Sequence, residues 1–121
     1  MLRLWTAIVL LTVFSALALG AGVQGKWKGR VLGREGPRAV YFLLEADGER
    51  LTGKMVDGHG DNPISEGRIT GDQLSFTIVY DFSGDKVKRL YRGTLSGDEI
   101  HFTCQAESGE NKKEFTARRM Q

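Results

Sequence analysis

An eleven-residue phrase occurs twice in this chain, and its return 26 positions later constrains the fold more than any other feature. Gly67-Arg-Ile-Thr-Gly-Asp-Gln-Leu-Ser-Phe-Thr77 comes back as Gly93-Thr-Leu-Ser-Gly-Asp-Glu-Ile-His-Phe-Thr103. Both glycines, the aspartate, the phenylalanine and the final threonine recur in place, while Ile69/Leu95, Thr70/Ser96 and Leu74/Ile100 match in kind. Each copy reads as the end of one strand, a Gly-Asp turn and an alternating strand. Glycine supplies positive φ and aspartate bonds its own backbone, which is the chemistry of a tight hairpin. A step spanning two strands and two turns implies an up-and-down meander.

The same alternation runs from Gly25 to the end of the chain. It predicts eight strands over 24–31, 39–46, 50–56, 64–70, 73–81, 86–95, 98–105 and 112–120. That is one strand and turn per about 12 residues, the spacing of all-β sandwiches and barrels. Tight turns are expected at Asp47-Gly48, Gly71-Asp72, Ser83-Gly84-Asp85 and Gly97-Asp98, with looser connections over 32–38, 57–62 and 106–111. Up-and-down alternation puts the three looser connections on one rim. Strand phase turns Trp27, Val31, Val40, Phe42, Leu44, Leu51, Met55, Ile69, Leu74, Phe76, Ile78, Tyr80, Val87, Tyr91, Ile100, Phe102, Cys104, Phe115 and Ala117 inward. Gly29, Gly53, Gly67 and Gly93 share that phase, where glycine lets a strand bend. The expected fold is an eight-stranded antiparallel up-and-down β-barrel, closed so that no edge is left exposed.

The first 20 residues lie outside that pattern. Arg3 precedes a charge-free apolar run, Leu4 to Leu19, and Ala18-Leu19-Gly20 offers small residues for a signal peptidase. The run of 16 is short of the roughly 20 residues a spanning helix needs. We therefore expect a signal peptide over 1–20, one domain over 21–121, and a periplasmic or extracellular address; an uncleaved anchor is the alternative, and the membrane is expected only through that segment. Loss of Arg3 leaves 16 cations against 15 acids, so net charge makes no case for nucleic acid. Cys104 is the only cysteine, which excludes an internal disulfide.

Gly25-Lys26-Trp27 opens the first predicted strand and Arg118-Arg119 closes the last. This G-x-W with a terminal arginine resembles the calycin superfamily of lipocalins, avidin-like and fatty-acid-binding barrels. The resemblance implies a structural plug in which Arg119, inward by phase, lies across Trp27 and stoppers one end, a cation–π arrangement. The repeated phrase is also similar to small exported bacterial β-proteins of no assigned function. The tryptophan-rich avidin ligand set does not carry over, since Trp27 is the only tryptophan beyond the leader.

Arg89 falls in the inward phase between Val87 and Tyr91, and a buried guanidinium must find a partner. It is either a ligand anchor or a strand-end arginine bonded to a loop. Tyr80, Tyr91, Phe42 and Phe102 are the candidate lining of an apolar pocket, or else a filled core. Asp57-Gly-His-Gly-Asp-Asn62 holds one histidine between two acids, but a calcium loop would need a carboxylate where Arg68 stands, and zinc would need more ligands. No metal and no cofactor is expected. Cys104 reads as a buried small hydrophobe. No nucleophile–base pair or inward carboxylate pair appears, so no enzyme is expected. Tyr41, Leu43, Val79 and Leu90 point outward and could join copies of the chain through the barrel wall. Two functions remain: a barrel holding a small amphipathic or apolar ligand, or an envelope or extracellular interaction domain with a filled core. A cavity above roughly 300 Å³ at the looser rim would favour the first.

Overall fold

In a computed structural model, which describes residues 22–33, 36–58 and 60–120, the alternating sequence forms nine strands and no helix. They are β1 (Gly25–Gly33), β2 (Gly36–Asp47), β3 (Arg50–Asp57), β4 (Gly60–Pro63), β5 (Ser65–Thr70), β6 (Gln73–Phe82), β7 (Asp85–Ser96), β8 (Glu99–Ala106) and β9 (Lys113–Arg119). All pairings are antiparallel. The sheet order β2-β1-β9-β8-β7-β6-β5-β3-β4 closes on itself through β2–β3. Since β4 and β5 follow one another along β3, the wall has eight positions, and the molecule is an eight-stranded antiparallel barrel. The reading of residues 1–20 as a leader lies outside the described residues, as does His59.

Two of the expected looser connections are hairpins instead. β1 and β2 stay in register out to Gly33↔Gly36, and β3 turns into β4 with Asp57↔Gly60 paired. Pairing continues there because closing each ladder satisfies backbone groups that a loop would leave to water. The expected strand over 64–70 is broken at its start: Pro63 has no N–H to give, Glu66 takes a positive φ of 54°, and the β5–β6 register shifts between Ser65 and Arg68. β4 therefore pairs with β3, while β5 pairs mainly with β6.

The base of the barrel carries the β2–β3, β5–β6 and β7–β8 turns together with residues 22–24. The opposite rim, the mouth, carries the β1–β2, β3–β4 and β6–β7 hairpins and the β8–β9 connection. Between them the inward phase packs solid. Trp27, Phe42, Phe76, Ile78, Phe102 and Ile100 are at most 2% exposed. Phe42 stacks on Phe102 at 4.9 Å between centroids, Phe102 on Phe115 at 5.1 Å, and Phe76 on Tyr91 at 5.1 Å. Val87 departs from the expected interior: near the mouth end of β7 it is 37% exposed.

Glycines in the inward phase make space for those rings. A methyl at Gly93 would stand 2.8 Å from Ile100 Cγ2 and 3.0 Å from the Phe102 ring. Gly53 serves the backbone itself: its φ is +144°, and a Cβ there would fall 1.9 Å from the Leu43 carbonyl oxygen. Only glycine permits that approach between β3 and β2.

Candidate functional site

At the base, Arg119 on β9 pairs in register with Trp27 on β1. Its guanidinium lies 4.3 Å from the indole centroid. Arg119 also donates to the carbonyls of Gly22 and Gln24 and to Asp98 Oδ1, and Trp27 Nε1 donates to the Val23 carbonyl at 2.8 Å. Residues 22–24 are thereby held across the barrel's end, with Val23 wholly buried. No ligand can enter from this side without breaking these bonds.

The mouth is where polar groups face inward. β6 brings Tyr80 and β7 brings Tyr91, and their hydroxyls meet at 2.5 Å. Met55 on β3 lies beneath them, its Sδ 3.7 Å from the Tyr80 oxygen and 3.9 Å from the Tyr91 oxygen. Above this pair is a cavity of about 160 Å³, lined among others by Val31, Arg38, Val40, Asp57 and Lys113. Burial pushes the Tyr80 phenol up to about 12, the Tyr91 hydrogen bond opposing the shift only in part. Burial raises Tyr91 further still, and the neighbouring Tyr80 adds to it. Both phenols are therefore neutral at physiological pH. They can donate a hydrogen bond into the cavity or accept one, but neither is a base.

Arg89 is half-buried and settles sideways. Its Nε points at Cys104 Sγ, 3.2 Å away, and its Nη2 donates to the Asn111 carbonyl at 3.1 Å in the β8–β9 connection. Burial opposes its charge, while Cys104 and the two phenols favour it, with the net effect upward. Cys104 is buried beside it.

Of the five candidate ligand residues, Tyr80 and Tyr91 line the mouth cavity. Phe42 and Phe102 lie below it in the stacked core, and Arg89 stands beside it, committed to a loop carbonyl. Arg38 and Asp57 line the cavity without having been singled out. Their parity matches Val40 and Met55, so they were legible once β2 and β3 were carried to their full lengths. Among the described residues, no three His, Cys, Asp or Glu side chains gather to hold a metal ion, and no buried side-chain nitrogen or oxygen lacks a hydrogen-bond partner. No protein-family model, no curated protein and no solved structure matches this chain.

Proposed function

We propose that the protein is an exported, non-enzymatic interaction domain of calycin-like plan, whose outer wall meets its partner while its interior serves as scaffold. One observation carries this reading: among the described residues stacked aromatic rings fill the barrel's interior, and the cavity above Tyr80 and Tyr91 at its mouth is about 160 Å³, below the roughly 300 Å³ from which small-molecule pockets begin. The leader-like first 20 residues support export. The test is native mass spectrometry of protein recovered from the periplasm or medium of its own cells. The expected mass is that of residues 21–121 alone or of a multimer of them, copies of this chain being one occupant the wall could take. A stoichiometric small molecule retained in the barrel would defeat the reading.

A second reading rests on the paired phenols. A small amphipathic ligand could set its polar end among Tyr80, Tyr91 and the cations Arg38 and Lys113, with only a short apolar end in the cavity. The Tyr80→Phe/Tyr91→Phe double variant would then lose the retained mass while keeping its thermal stability within a few degrees.

A further inference from the structure

A near-neutral balance does not keep like charges apart on the barrel wall. The outward phase of β1 reads Lys26, Lys28, Arg30, three exposed cations in succession. Among the described residues none of the three forms an ion pair with a carboxylate. Across the β1–β9 ladder Lys28 directly faces Arg118, whose side chain is 77% exposed. Like charges opposite one another destabilise a sheet. Glu99 relieves Arg118 from the far side at 3.0 Å, and on the other flank Lys54 is held by Asp61 at 2.7 Å. Nothing does the same for the ridge between them.

The ridge stands between two shallow grooves. One, of about 590 Å³, runs along Lys26, Leu43, Lys54 and Pro63, with Glu45 as its one carboxylate among the described residues; the other, of about 430 Å³, runs along Arg30, Thr116, Arg118 and Met120. Alternate residues of a strand lie about 6.7 Å apart, so the three cations form a line with one positive charge at that interval. An extended phosphodiester chain places its charges at a comparable interval. Polyuronates and polyphosphates, charged at every ring or every phosphorus, place theirs more closely. Among the described residues Tyr41 is the only aromatic one facing this wall, and the Lys28 ammonium sits 5.9 Å from its centroid, so nucleobases would lack a stacking platform.

We propose that the β1 ridge and its flanking grooves bind a linear polyol phosphodiester laid along β1. This rests on the outer-wall reading above and names the partner for it. The probe is delipidated poly(glycerol phosphate), titrated against the mature chain by fluorescence anisotropy at several salt concentrations. With three to five cations engaged, log K is expected to fall with log salt at a slope of roughly −2 to −3.5. Lys26→Gln/Lys28→Gln should bring that slope about 1.4 units closer to zero, and Lys26→Glu/Lys28→Glu/Arg30→Glu should weaken binding at least tenfold at low salt, by about 1.4 kcal/mol or more. Trp27 fluorescence checks that each variant is folded, and the neutral pair keeps the test alive if the triple variant is not. Arg92→Glu on the opposite wall should change nothing. An equal loss with Arg92→Glu would overturn the placement, equal affinity for a polyuronate would overturn the spacing argument, and tighter binding of single-stranded DNA would overturn the choice of polymer. No binding by a barrel that is empty in native mass spectrometry defeats the partner alone; no binding by a barrel carrying a small molecule defeats the outer-wall reading as well.

Discussion

Trp27 joins three otherwise separate parts of the molecule: the core, which buries it completely, the last strand, whose Arg119 covers its ring, and residues 22–24, which accept its N–H. Trp27→Ala should cost about 3–5 kcal/mol in chemical denaturation, and a loss under about 1 kcal/mol would mean the base is held by something else. Gly93→Ala is the complementary case, adding volume where Ile100 and Phe102 leave none. It should destabilise by about 1–3 kcal/mol through overpacking, visible in the same melts. Both residues were legible because parity assigns a side, and side decides burial. The fate of Arg89 was legible only as two alternatives, a ligand anchor or an arginine bonded to a loop; the second holds, and its partners, Cys104 and the Asn111 carbonyl, come from β8 and a connection 22 residues away. Local pattern carries no information about such distant encounters.

At the scale of elements, hairpins whose turns carry Gly-Asp were placed within a residue or two, since turn chemistry sets register. The wall between β3 and β6 was not. Its kink arises from a proline, a positive φ at Glu66 and the close approach of Gly67 to β3, where a Cβ would stand 2.1 Å from the Leu51 carbonyl oxygen, each a local exception to the alternation that revealed everything else. Gly53→Ala should cost about 1–3 kcal/mol from backbone strain alone, with the Leu43 carbonyl contact adding to it, and should lower the thermal midpoint more than Gly48→Ala, where a methyl meets nothing within 4 Å. β4 shares a ladder with β3 on one side only among the described residues. Its amides should therefore exchange with deuterium faster than those of β7 or β8, each paired on both sides; equal protection would show that β4 is locked by contacts other than its ladder.

Taken whole, the barrel was legible as a closed meander from its repeat, and its filling was the question parity could not answer. Inward aromatic residues read alike whether they line a pocket or stack on one another; only their mutual distances decide. The neutral phenols at the mouth have a consequence for the entire fold. Tyr80 titrates at about 12 when folded and near 10 when unfolded, so above pH 10 the unfolded state releases a proton that the folded state retains. The contribution of Tyr80 to stability is therefore complete below about pH 10 and is lost as pH rises toward about 12, with Tyr91, also raised, adding to the decline. Urea melts across that interval should show the loss, and Tyr80→Phe/Tyr91→Phe should flatten it.

Because β1 lies beside β9 and Arg119 reaches the carbonyls of Gly22 and Gln24, the two ends of the described chain meet at one spot on the floor of the barrel. A short glycine linker could join residue 120 to residue 22, and new termini could be cut at the exposed Ser83-Gly84 turn. Such a circular permutant should keep every ladder of the wall. It would also move any fused tag from the floor to the rim without disturbing the indole beneath its arginine.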